Sequence, residues 1–267
     1  MPRTKNGRRI ALLSGVVVVA VLAVSVWVNR QEVRAWYLFW REFESLGKNA
    51  QGYLEYKHLQ TGIVFVALPG GTFTMGSPKE EEGRTGLERQ LEVALGPFLI
   101  AKYEVTNREW NRVMENNPSF PKGDALPVEG FSWEQYQKFS TKTGLCLPNS
   151  VQWEYACRAG TSGPFSGSGK LDDMGWYKDN SNHRLRPVGR KQPNDFGLHD
   201  MHGNVYEWCQ HVEEPESYSK HQSSDYLEVR GGSIVSDHLS CRSAFYFVSP
   251  SGSPVFSAGL RPAWSWP

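Results

Sequence analysis

A chain of 267 residues with 39% hydrophobic content is long enough to build a substantial core and too apolar for a disordered tail. A formal net charge of +1, with no basic stripe beyond the N-terminus, excludes the electrostatic footprint of a nucleic-acid partner. Gly 26 and Pro 16 beside Trp 10, Tyr 11 and Phe 13 exclude a bundle of long helices and point to loops pinned by large rings.

Residues 10–28, IALLSGVVVVAVLAVSVWV, are 19 consecutive positions without a charge. As a helix they span about 28 Å, close to the roughly 30 Å hydrocarbon core of a bilayer. Arg3, Lys5, Arg8 and Arg9 precede the run with no acidic residue among them. The positive-inside rule therefore predicts a single-pass membrane protein with a cytoplasmic basic tail (1–9), a transmembrane helix (10–28) and the remaining chain across the membrane. A cleaved signal peptide with Ala23-Val24-Ser25 at the cut is the alternative, but its apolar stretch is usually about 7–15 residues.

Next, EVRAWYLFWREFESL (32–46) predicts a helix with a broad aromatic face. Its Trp36, Tyr37 and Trp40 suit either the headgroup level of a membrane or packing on a folded domain. Residues 47–60 read as a polar linker, so that 29–60 joins the anchor to a single domain over 61–267. IVFVAL, Pro69-Gly70-Gly71 and TFTMGS read as strand, turn and strand, and LEVALGPFLIAKYEV (91–105) as extended chain. Thr106-Asn107 caps a short helix, REWNRVME. Ser132 and Gln135 form a capping box in front of a helix with Tyr136 and Phe139 on one face, stopped by Gly144. Asn149 or Ser150 caps a third helix, VQWEYACRA, ended by Gly160. From 161 onward the chain is mostly Gly, Pro, Ser, Asn and aromatics, with no internal repeat. The class is α+β.

PGGTFTMGS, PFLIAKYEVTNREW, PVEGFSWEQYQKF, LPNSVQWEYACRAG, FGLHDMHGNVYEW, VRGGS, CRSA and GLRP stand in the order and spacing of the formylglycine-generating enzyme (sulfatase-modifying factor) family. The resemblance covers about 63–262. It implies a compact domain related to C-type lectins, with much irregular structure. It also implies, for catalytic members, oxidation of a sulfatase cysteine by oxygen at a copper(I) ion held by two cysteines five positions apart. Copper(I) is soft and takes thiolates at low coordination number.

By that resemblance the two copper positions fall at Ser236 and Cys241. The second thiol is present, and a hydroxyl cannot replace the first for copper(I). The partner of the WEYAC-type cysteine falls at Tyr246, and a further family disulfide falls at Ser140 and Pro262, so neither bridge can form. Tyr206, Ser233, Ser236 and Cys241 would line the family's groove. Cys241 is open to three readings: a residual catalytic thiol, a buried apolar thiol, or half of a disulfide with Cys157 or Cys209. Pairing among Cys146, Cys157, Cys209 and Cys241 stays open. The resemblance also places a calcium ion on the side chains of Asp200 and Glu207 and the carbonyls of Gly203 and Val205, a hard-oxygen set suited to that cation. The alternative has Asp200 capping a turn and Glu207 paired with an arginine. His199, His202, Cys209 and His211 match no zinc spacing. Arg84, Glu88, Arg89, Arg108, Glu109 and Arg112 read as solvated charges.

The expectation is thus a membrane-anchored domain without the copper chemistry, binding a peptide, a glycan or a partner protein. A relative with different or residual oxidoreductase or protein-modifying activity is the alternative.

Overall fold

In the computed structural model residues 36–211, 226–253 and 255–265 are described. The expected tail and anchor, 1–9 and 10–28, lie outside them. Among the described residues no helix is long and apolar enough to cross a membrane.

The chain divides into two units, Met1–Phe43 with Pro267, and Glu44–Trp266. In the first, residues 36–42 are helical, and the helix gives way to strand at Phe43 instead of reaching the expected 46. Phe39 meets Trp36 and Trp40 edge-on at 5.9 and 5.1 Å and stacks on Phe43 at 4.8 Å, while Trp36, Tyr37 and Trp40 are exposed.

The second unit begins earlier than residue 61, because the expected linker is sheet. A five-stranded sheet has the order β1 (Phe43–Lys48), β2 (Leu54–His58), β3 (Val64–Leu68), β6 (Phe98–Ala101) and β13 (Ala263–Ser265). β2 pairs antiparallel with β3, Tyr56 opposite Phe65. Only Tyr56 and His58 of β2 point inward, and the outward Glu55 and Lys57 give LEYKH the composition of a linker. Period-2 burial with so few apolar positions is a weak sequence signal. β3 and β13 flank β6, which is buried at all four residues.

β4 (Gly71–Met75) and β5 (Leu91–Leu95) form a separate hairpin pair. The stretch 91–105 is therefore not one extended run: Gly96-Pro97 breaks it between two sheets. Proline there removes a ladder donor. β7 (Gly175–Trp176) pairs parallel with β8 (His202–Gly203). A second sheet has the order β11 (Tyr246–Pro250), β10 (Tyr226–Arg230), β9 (Tyr206–Gln210) and β12 (Ala258–Gly259).

The three expected caps are present. Thr106 and Glu109 form a capping box on α1 (Asn107–Trp110), Ser132 and Gln135 on α2 (Trp133–Thr143), and Asn149 and Gln152 on α3 (Ser150–Arg158). α1 stops well short of the expected REWNRVME. Asn117 Nδ2 donates to Asn107 Oδ1 at 2.8 Å and to Asn111 Oδ1 at 3.0 Å, and such side-chain bonds compete with helix propagation. α2 ends at Gly144 in the left-handed conformation (φ 71°), as its sequence position predicts.

Trp153 and Ala156 of α3 join Val66, Phe98, Leu198 and Met201 in one apolar cluster. Trp110 lies between Phe131 and Phe139 at 5.3 Å each. His58, at the inner end of β2, bonds Thr61 Oγ1 at 2.9 Å and is 2% exposed, and burial lowers its pKa to about 4. An unfolded histidine titrates near 6.5. Stability from keeping His58 neutral is therefore complete above about pH 6.5 and is lost as pH falls towards 4. H58Q should lose less stability than the parent over that interval in urea melts at stepped pH. Parallel pH profiles would show that His58 protonates without penalty.

Candidate functional site

The site is built where β9 begins and β10 ends. Their register sets Glu207 opposite Arg230, and β12 runs parallel to β9 with Ala258 opposite Tyr206. After β10 the chain turns through Gly231 and Gly232, both at positive φ (87° and 78°). A Cβ at Gly232 would lie 2.5 Å from Cys241 Sγ and 3.1 Å from the Ser240 carbonyl, so only glycine fits beneath that thiol.

Beyond the glycines, Ser236 closes a tight turn on Ser233. The Ser233 N–H donates to Ser236 Oγ at 2.9 Å, the two hydroxyls are 3.2 Å apart, and Ser236 Oγ donates to the Tyr206 hydroxyl at 2.8 Å. The Tyr206 ring meets Phe247 edge-on at 5.4 Å. Three of the four expected groove residues thus share one hydrogen-bond chain. Tyr206 is half-buried, whereas Ser233, Ser236 and Cys241 are buried.

Cys241 closes a short 3-10 turn, Leu239–Cys241, and is fully buried. Burial and the nearby Asp237 charge push its thiol far above the usual range, opposed by a hydrogen bond from the Ser233 backbone. Cys157, also buried, lies 3.7 Å from His202 Nε2 and 3.6 Å from Ser243 Oγ, and burial pushes it up to about 12. His202 is no general base for it. Its Nδ1 faces the Cys241 carbonyl at 2.8 Å, its Nε2 accepts from the Ser166 N–H at 3.1 Å, and its pKa is lowered to about 4 by burial. All four cysteines, Cys146, Cys157, Cys209 and Cys241, are free thiols. Cys241 is therefore a buried free thiol rather than half of a disulfide, and burial favours its protonated form.

Glu88 is not a solvated charge. It is 1% exposed, and its carboxylate takes Arg242 Nη1 and Nη2 at 2.8 Å each and the Ser77 hydroxyl at 2.7 Å. Arg242 also reaches Glu81 Oε1 at 2.5 Å and the Gly83 carbonyl at 2.6 Å. The segment 77–88 is thus clamped over the Cys241-Arg242 turn. These partners are 154 to 161 residues apart in sequence, and no local pattern marks them. Arg84 joins the same segment through the Ser77 carbonyl at 3.1 Å.

The expected calcium residues run from just before β8 into β9. Asp200 is 2% exposed at φ 57°; its Oδ2 accepts from the Gly189 N–H at 2.6 Å, and its Oδ1 is buried with no hydrogen-bond partner. Glu207 is 1% exposed and fully engaged: Arg261 Nε lies 2.9 Å from both oxygens, Arg261 Nη2 2.8 Å from one, and Trp153 Nε1 donates to the other at 2.6 Å. The arginine-paired reading of Glu207 is the one the structure displays. A third carboxylate that the sequence reading passed over, Glu104, is wholly buried beside them. Among the described residues no three His, Cys, Asp or Glu side chains converge on a metal position. A cation here would therefore rest on two side chains and backbone carbonyls. The orphaned Asp200 oxygen and the excess of carboxylates over guanidinium suit a hard cation, which would have to share Glu207 with Arg261 and Trp153.

An α+β domain of two larger sheets and two strand pairs, with short helices, a double-glycine turn and a largely buried serine–tyrosine chain, defines the class. Residues 51–266 match the family described as the sulfatase-modifying factor enzyme 1-like domain, and the chain belongs to that family. It is 29% identical over 188 residues to "Chaperone protein LppX" of Paenibacillus barcinonensis (47% of this chain, 67% of that one). It is 26% identical over 216 residues to "Formylglycine-generating enzyme" of Thermomonospora curvata (54% and 70%). It is also 26% identical over 235 residues to "Inactive C-alpha-formylglycine-generating enzyme 2" of Mus musculus (64% and 74%). Among solved structures, PvdO from Pseudomonas aeruginosa superposes with TM-score 0.68 at 24% identity, covering 79% of this chain and 97% of its own. Treponema denticola variable protein 1 does so with TM-score 0.69 at 23% identity, covering 80% and 99%. At those identities the likeness concerns the fold.

Proposed function

We propose that this chain is a non-catalytic member of its family, a binding domain for a peptide, a glycan or a partner protein, held at a membrane by residues 10–28. The observation that carries the reading is Ser236. It occupies the first copper position of the family resemblance, and its hydroxyl is committed to Tyr206 and Ser233. Cys241 alone remains, buried and with its thiol form favoured. One soft ligand cannot make the two-thiolate site on which copper(I) oxygen chemistry depends. Relatives named as an inactive enzyme and as a chaperone support a role without that oxidation. The test is oxygen uptake by the purified full chain, supplied with copper and a sulfatase-derived cysteine peptide. No uptake above the peptide blank is expected, and formylglycine in the peptide would return the protein to the enzymes.

Anchoring is tested by thiol labelling on intact cells of K5C and K220C. Label at position 220 alone agrees with an outward domain, and label at position 5 alone reverses it.

Calcium belongs to the same proposal as a structural ion, with Asp200 and Glu207 supplying side-chain oxygens and Gly203 and Val205 carbonyls. The buried, partnerless Asp200 Oδ1 supports it. Bound calcium would tie β8 to β9 and would supply no redox chemistry. Chelator should lower the Tm of the parent, and D200N/E207Q should abolish that sensitivity. Identical melts of the parent with and without chelator would leave Glu207 as the partner of Arg261 alone.

A further inference from the structure

Glu104 is fully buried, and no element of the site description so far requires it to be an acid. Its Oε1 accepts from the Val205 N–H at 3.1 Å, and its Oε2 accepts from Asn204 Nδ2 at 2.5 Å. Asn204 in turn brackets Arg186, accepting its N–H at 3.0 Å and donating to its carbonyl at 3.2 Å. Gly203 and Asn204 both have positive φ, 90° and 61°. The backbone at 203–204 thus lies in the left-handed region, and the Glu104 carboxylate holds it and Val205 together with backbone hydrogen bonds to Gly231, Trp176 and Ile234.

The charge inventory of the same place is uneven. Glu104, Asp200 and Glu207 interact with one another; the Arg261 guanidinium, hydrogen-bonded to Glu207, interacts with all three, and Lys191 acts on Asp200. Three carboxylates thus crowd one guanidinium in a water-poor interior, a costly arrangement unless protons or a cation join them.

We propose that Glu104 is a positioning residue for a divalent cation: it orients the 203–205 turn so that the Gly203 and Val205 carbonyls can serve as ligands, and it supplies part of the negative charge that the ion balances. The proposal rests on the calcium reading above and extends it to a residue outside the ligand set. Glutamine at 104 keeps the length and one acceptor, but it removes the charge and turns an amide N–H₂ towards either Val205 N–H or Asn204 Nδ2.

The experiment titrates calcium chloride into the full chain in detergent by calorimetry and records Tm with calcium and with chelator. The parent, E104Q and the exposed control E134Q are compared. E104Q should bind calcium at least tenfold more weakly and lose most of the calcium-dependent rise in Tm, whereas E134Q should match the parent. A parent-like calcium affinity in E104Q, with Tm lowered equally in both buffers, would reduce Glu104 to a structural hydrogen-bond acceptor and overturn the proposal. Should E104Q fail to fold, E104D keeps the charge but is one methylene too short to hold both Val205 and Asn204, and parent-like affinity there would also overturn it. A parent that binds no calcium sinks the calcium reading itself, an outcome distinct from parent-like affinity in the variants.

Discussion

E154A should lower stability by about 3–5 kcal/mol, the cost of stripping one partner from a buried ion network. Glu154 sits on α3 with its carboxylate at the centre of that network. Its Oε1 accepts from Arg158 Nε at 2.8 Å and from the Gly76 N–H at 2.7 Å, and its Oε2 accepts from Arg230 Nη1 at 3.1 Å. Both arginines are buried, and Arg230 Nη2 already lacks a hydrogen-bond partner. Removing the carboxylate would leave two guanidiniums and a backbone donor in the interior without it, and water cannot reach them. In a domain of this size the change corresponds to a Tm fall of roughly 6–20 °C. E154Q keeps an acceptor and should fall less. An E154A melt within about 2 °C of the parent would mean that these arginines find other partners or reach solvent.

S236C should create copper(I) affinity that the parent lacks, and raise it by orders of magnitude. Ser236 and Cys241 share a neighbour, because the Ser233 N–H donates to the Ser236 hydroxyl at 2.9 Å and also favours the thiolate of Cys241. A thiol at 236 would thus stand beside the one at 241 on a turn whose glycine already makes room for sulfur. Copper binding displaces thiol protons, so the metal itself offsets the burial that disfavours the thiolate at Cys241. The substitution costs the Ser236–Tyr206 hydrogen bond, about 1 kcal/mol, which a folded domain can absorb. Copper(I) bound no better by S236C than by the parent would show that the turn holds the two positions in a geometry unfit for a pair.

Much of the fold is legible in the sequence wherever the signal is local. Ser132, Gln135 and Gly144 announce α2, and Asn149 announces α3, because a cap is made by residues three apart. Sheet membership is less visible. LEYKH carries a strand with one aromatic and one histidine inward, and 91–105 conceals a change of sheet at Gly96-Pro97. The site shows the same division. The family phrases place Tyr206, Ser233, Ser236 and Cys241 together, and the hydrogen bonds join Tyr206, Ser233 and Ser236. Among the charged residues Glu88 reads as solvated yet finds Arg242 across a long stretch of chain, whereas the Glu207–Arg261 pair is the arginine alternative that the sequence already offered. Charge alone reads as solvent exposure; only a buried partner, which no nearby residue reveals, overturns that reading.

The absence of a working copper pair is tested most directly by a copper(I) titration of the unmodified full chain under reductant, with a thiol-competitive chromophoric chelator present. The account predicts that the chelator keeps the metal at every protein concentration, because Ser236 offers no thiolate and Cys241 is buried alone. Transfer of one equivalent of copper(I) from the chelator to the parent protein would contradict it.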